Sequence, residues 1–105
     1  MISRIWHGYT TIENADSYES LLREEIFVGI KNRNIAGYKG IQLLRRQLPD
    51  ETEFITIMWF DSLDSVKAFA GEDYENAVVP EKAQRVLSRF DRQSSHYEVI
   101  TGDLI

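Results

Sequence analysis

The spacing of hydrophobic residues changes several times along the chain, and each change marks an element. Residues 2–10 place Ile5, Trp6, His7 and Tyr9 ahead of Thr10 and Thr11, a short aromatic and β-branched run that predicts a first strand. Tyr18, Leu22, Ile26 and Ile30 then recur every fourth residue, with Glu19, Arg23 and Glu24 off the stripe, as an amphipathic helix requires. Asn14 or Asp16 is placed to cap this helix, and Asp16 with Glu19 has capping-box spacing. The polar residues 31–34 and Gly37 end it. Residues 38–47 predict a second strand, with Ile41 and Leu43 on one face and Leu44 on the other. Residues 48–51 form a turn around Pro49, whose ring presets the backbone for it. Residues 54–60 are apolar on both faces. Phe54, Thr56, Met58 and Phe60 alternate with Ile55, Ile57 and Trp59, so a central strand covered on both sides is expected.

Ser62 caps the next helix and Asp64 complements its dipole; Leu63, Val66, Phe69 and Ala70 form its buried stripe, and Gly71 stops it. Residues 72–79 predict a turn or a short helical piece. Pro80 suits the first turn of a further helix with Ala83, Val86, Leu87 and Phe90 inward. Residues 95–101 alternate Tyr97 and Val99 against His96, Glu98 and Ile100 and predict the last strand.

The resulting order, β-α-β-β-α-β, is the split βαβ arrangement of a ferredoxin-like α+β fold: a four-stranded antiparallel sheet with helices on one face. Strand one is expected between strands three and four, parallel to three and antiparallel to four. That arrangement would gather His7, Trp59, Phe60 and His96 at one edge of the sheet. The face of strand three not covered by helices is too apolar to meet water, which predicts a homodimer paired sheet to sheet as a dimeric α/β barrel. Strand two, or the tail at Leu104 and Ile105, is available to latch such a pair.

Composition narrows the function more by exclusion than by indication. The 105 residues amount to one domain, 1–105, and 43% hydrophobic content suits a folded chain. Twelve Lys and Arg against seventeen Asp and Glu give −5, which argues against a nucleic-acid surface and against a basic membrane-surface helix. Arg45-Arg46 and residues 31–33 read as solvated basic clusters. With no cysteine there is no disulfide, thiolate metal site or cysteine nucleophile. No apolar run is long enough to span a bilayer, and the first residues hold no apolar signal core, so a cytoplasmic location is expected.

The candidate chemistry rests on His7 and His96, the chain's two histidines. Beside an apolar pocket either could serve as a general base near neutral pH. With a carboxylate such as Glu98 they could ligate a metal, although their spacing is not that of a ligand set and no metal site is expected. They are also readable as ordinary polar residues at strand ends. Trp6, Tyr9, Tyr38 and Trp59 are candidates to line an aromatic substrate pocket, or to form core and dimer interface instead. Asp73 and Tyr74 follow the Gly71 stop and either border that pocket or act as a cap and a packed ring. No Ser-His-Asp spacing, P-loop or GxGxxG pattern is present.

The stretch Phe60-Asp61-Ser62-Leu63-Asp64-Ser65-Val66-Lys67-Ala68-Phe69-Ala70-Gly71-Glu72-Asp73-Tyr74 resembles the segment after strand three in antibiotic biosynthesis monooxygenase domains of the dimeric α/β-barrel superfamily. The Pro80 region and Ser95-His96-Tyr97-Glu98-Val99 resemble the same subgroup. The resemblance implies a cofactor-independent monooxygenase acting on an aromatic or polyketide-like substrate, with His7 or His96 as base and Trp6, Trp59, Phe60, Tyr38 and Tyr74 around the substrate. It leaves open a non-catalytic dimeric module that binds a small aromatic ligand. Haem-degrading relatives carry an Asn late in strand one, a Trp late in strand three and a His on the second helical segment. At those places this chain has His7, then Phe60 with Trp59 one residue off, and no histidine near Val78 and Val79, so no cofactor is expected.

Overall fold

The computed structural model describes residues 1–103. Strand β1 (Ile2–Thr10) leads into a helical segment made of α1 (Ala15–Leu21), a π turn (Leu22–Ile26) and α2 (Phe27–Asn32). Strands β2 (Tyr38–Gln47) and β3 (Thr52–Phe60) form a hairpin closed by a Leu48 N–H to Glu51 carbonyl bond of 2.8 Å. Helices α3 (Leu63–Ala70) and α4 (Glu81–Val86) follow, then two short strands, β4 (Arg89–Phe90) and β5 (Ser95–Glu98).

The sheet runs β2-β3-β1, with both β4 and β5 on the far edge of β1. All its pairings are antiparallel, which corrects the expected parallel pairing of strands one and three. The reason is topological. The crossover helix returns the chain so that β2 runs in the direction of β1, and the tight hairpin then forces β3 to run against both. Thr10 consequently sits opposite Thr52, and Ile2 opposite Phe60.

Two strands occupy the place expected for one. The predicted helix from Pro80 to Phe90 ends early, because Leu87 turns extended and the chain is captured by the free edge of β1. Ser88 N–H bonds the Tyr9 carbonyl at 2.8 Å and Asp91 N–H bonds the His7 carbonyl at 3.0 Å. Phe90 therefore packs from the sheet edge onto Trp6, with ring centres 6.2 Å apart. The last strand stops at Glu98, short of the expected Thr101. The tail latch assigned to Leu104 and Ile105 lies outside the described residues.

The first helical segment keeps its stripe by an unexpected device. On a 3.6-residue helix, every fourth residue advances about 40° per repeat, so Tyr18, Leu22, Ile26 and Ile30 would wind off a common face. The wider π turn at Leu22–Ile26 takes back part of that drift. The capping box does not form: Asn14 is the cap residue but its side chain makes no capping bond, and Asp16 and Glu19 instead receive Arg45 at 2.8 and 3.0 Å. Ser62 caps α3 as expected, its hydroxyl accepting from the Ser65 N–H.

Two apolar clusters fill the space between sheet and helices. Trp6, Tyr18, Leu22, Phe54 and Leu87 anchor one, and Met58, Phe60, Val66 and Phe69 the other. On β1 the alternation is strict: Arg4, Trp6, Gly8 and Thr10 are buried beneath the helices, while Ser3, Ile5, His7 and Tyr9 lie half-buried on the open face.

Gly37 marks where the crossover meets α3. It has φ 83°, and a Cβ there would lie 1.9 Å from Ser65 Oγ. Gly37→Ala is expected to destabilise the fold by more than about 1 kcal/mol, seen as a lower urea midpoint at unchanged slope.

Candidate functional site

The alternation of β1 sets Arg4 and Trp6 side by side under the helices, where the two apolar clusters meet. At that seam is a cavity of about 60 Å³. Its walls include Arg4, Trp6, Met58 and Phe69 from sheet and α3, and Leu22 and Ile26 from the π turn. Thr56 and Ser94 add two hydroxyls, and Val78, half-exposed, stands at the rim. The volume holds a few waters. Trp6 is fixed from two sides. Its indole N–H donates to the Asp91 carbonyl at 2.7 Å, and its ring lies over Gly8, where a Cβ would approach within 2.5 Å.

Arg4 is the charged group of the cavity and is only 3% exposed. Its Nη1 donates to the Tyr74 carbonyl (2.5 Å) and to His96 Nε2 (2.9 Å), and its Nη2 donates to the Asn76 carbonyl (3.1 Å). The guanidinium also lies 5.5 Å from the centre of the Phe69 ring, within cation–π range. Among the described residues no carboxylate lies within ion-pair distance of it. Burial pushes its pKa down to about 10, so it stays a cation at neutral pH.

An arginine only donates, so His96 Nε2 must be the acceptor and the ring carries its proton on Nδ1. Burial first, and the Arg4 charge second, hold His96 below the ordinary 6.5, with Glu75 opposing in part. The Tyr74 ring meets the His96 ring edge-on at 5.1 Å, in a groove beside the cavity.

The expected gathering of His7, Trp59, Phe60 and His96 does not occur. With β1 and β3 antiparallel, His7 pairs with Ile55 and Trp59 with Ser3, near opposite ends of β1. The two histidines are also on opposite faces. His96 lies opposite Arg4 on the helix side, whereas His7 shares the open face with Glu53. Phe60 is fully buried between Tyr38 (5.8 Å) and Phe69 (5.9 Å), inside the second cluster. Trp6 is the candidate pocket residue that reaches the cavity wall; Trp59 is on the far face, and Tyr38 and Tyr74 pack against the second cluster. Arg4 was missed because a charged residue in a strand reads as solvent-facing. The available signal was its phase, since it alternates in step with Trp6 rather than with His7.

The open face has its own polar cluster. Glu53 takes Arg46 at 2.6 and 3.0 Å, His7 Nδ1 at 3.1 Å and the Tyr9 hydroxyl at 3.4 Å. Arg46 first and His7 second hold its carboxyl below the ordinary 4.5. Among the described residues there is no group of three or more acidic or histidine side chains that could hold a metal ion, and no helix long and apolar enough to cross a membrane.

Element order and antiparallel pairing define a ferredoxin-like α+β fold of the split βαβ kind. No protein-family model and no curated protein matches the sequence. Solved structures do share the fold over nearly the whole chain. A Bacillus cereus protein, provisionally assigned as an antibiotic biosynthesis monooxygenase, superposes with a TM-score of 0.67 at 11% identity, covering 99% of this chain and 97% of its own. The haem degrader MhuD of Mycobacterium tuberculosis, solved with two haems in its active site, superposes with a TM-score of 0.58 at 18% identity, covering 98% and 99%. At these identities the likeness is one of fold, and it agrees with the resemblance carried by residues 60–74.

The state of His96 sets a pH dependence. Its folded pKa is depressed, so the unfolded chain takes up the proton first as pH falls, and stability is lost from about pH 6.5 downward to the lowered folded value. Urea unfolding at pH 7.5 and 5.5 should show this loss. His96→Gln, which keeps an acceptor for Arg4, should reduce the difference.

Proposed function

We propose that the protein is a cofactor-independent monooxygenase that takes an aromatic substrate into the cavity between sheet and helices and works as a homodimer. The observation that carries this reading is the cavity itself: an aromatic and aliphatic chamber with one buried cation on its wall. The chemistry asked of it is modest. An activated ring CH₂ group loses a proton to solvent water, and the resulting carbanion passes one electron to O₂. The radical pair combines into a C–O–O bond, the peroxide takes the proton back, and loss of water leaves C=O, so that CH₂ and O₂ become C=O and H₂O. The chain supplies orientation and a dry wall, and the cation of Arg4 favours the anionic form of the substrate.

Volume limits the substrate. An engineered cavity that binds benzene measures about 150 Å³, well above the 60 Å³ found here. Even a single aromatic ring therefore enters only with outward movement at the rim, at Val78, and a fused-ring, polyketide-like substrate needs more of it. Haem fits neither this volume nor the donor set: His7 is on the opposite face and His96 Nε2 is taken by Arg4.

The same facts favour a second reading, a non-catalytic dimeric module for a small aromatic ligand, since no histidine stands free at the cavity. Oxygen uptake with a panel of quinols and anthrones separates the two. Uptake dependent on Trp6 supports the oxygenase; tight binding without uptake supports the module.

The dimer is proposed through the open sheet face. Ile5, Ile55, Ile57 and Trp59 are half-buried there, and Leu44 and Tyr97 are 44% and 55% exposed. Burying such side chains contributes about 1.5–3 kcal/mol each, against a total of about 5–15 kcal/mol for a domain of this size. A cytoplasmic location is proposed with it, since a chain without cysteine suits a reducing compartment. Sedimentation at micromolar concentration should give twice 12.2 kDa. Ile57→Asp should yield a folded monomer, whereas Met58→Asp, on the buried face, should abolish folding; a wild-type monomer would refute the pairing.

A further inference from the structure

The cavity wall carries a charge that nothing on the described chain cancels. All three bonds of Arg4 go to neutral acceptors, two backbone carbonyls and an imidazole lone pair. A guanidinium has five N–H groups, so two remain uncommitted on a side chain that is almost wholly buried and borders the cavity. Holding the 74–76 loop and β5 requires only the three bonds already made, and a buried charge without a partner is unfavourable. Around it the walls are apolar and aromatic: Trp6, Phe69, Met58 and Ile41.

We propose that Arg4 is an anion-recognition residue, and that the ligand of this cavity is a small aromatic anion whose carboxylate or phenolate oxygen docks on the two uncommitted N–H groups. The inference rests on the reading of the cavity as an aromatic-ligand site and narrows it to one class. The oxygen cancels the buried charge, and the planar donor fork of arginine suits a carboxylate particularly well. The ring then lies along Trp6 and Met58 once the rim at Val78 has moved outward to admit it. His96 acts as a positioning residue: by accepting from Nη1 it fixes the plane of the guanidinium and, being neutral, leaves its charge available to the ligand.

The test titrates the full chain with benzoate and with the isosteric neutral benzamide. Calorimetry reads affinity. The Arg4 Nε–H and Met58 methyl resonances report where each probe sits. Benzoate is expected to bind about tenfold or more tighter than benzamide, moving both resonances. Arg4→Lys should keep a reduced preference for benzoate, and Arg4→Met should abolish it. Should Arg4→Met fail to fold, the wild-type comparison and the Arg4 resonance decide alone. Equal affinities with Met58 shifting for both probes overturn the anion inference and leave the aromatic cavity standing. A Met58 resonance that responds to neither probe overturns the cavity reading and the inference with it. Arg4-dependent benzoate binding without oxygen uptake from quinols supports the inference and counts against the oxygenase.

Discussion

Much of the structure depends on burying one arginine. Arg4 lies on the central strand of the sheet, in phase with Trp6, and has no carboxylate among the described residues to neutralise it. The fold answers with dipoles. The loop after α3 delivers the carbonyls of Tyr74 and Asn76, β5 delivers the lone pair of His96, and Phe69 of α3 presents its ring. Each partner comes from a segment far away in sequence, so one side chain ties the carboxyl-terminal third of the chain to the first strand. An irregular loop follows Gly71, because carbonyls that point at Arg4 cannot also close a helix.

A second constraint is the division of the sheet into two faces with different work. The helix-side face of β1 carries Arg4, Trp6 and Gly8, and with them the cavity. The open face carries Ile5 and His7 beside Ile55 and Ile57, a surface suited to burial against a flat partner. His7 belongs to that surface through Glu53, whose other partners, Arg46 and Tyr9, come from both neighbouring strands. The proposed ligand cavity and the proposed pairing face thus use alternate residues of the same strand. A one-residue slip of register would exchange them wholesale.

The π turn belongs to the cavity as well. Leu22 and Ile26, at its two ends, both line it. Such a turn gives up some hydrogen-bond geometry, and that irregularity makes this wall the natural one to yield if a larger ligand enters.

Most of the elements were legible in the sequence, because hydrophobic periodicity and breakers are local properties. The boundaries of β1, β2 and α3 follow directly from alternation, from Ser62 and from Gly71. The double-sided apolar character of β3 is matched by one face buried under the helices and a second face left half-buried. The candidate site was legible only in part. Trp6 was found from its type. The grouping of His7 with His96 failed because strand direction is set by the crossover and hairpin together, which no single segment encodes. Arg4 escaped notice because the sign of its environment, buried rather than solvated, is decided by carbonyls some seventy residues away. Where helix α4 ends was likewise beyond local reading. Residues 87–90 have helical spacing, yet the unpaired edge of β1 offered the backbone better partners, and that edge exists only once the sheet has formed.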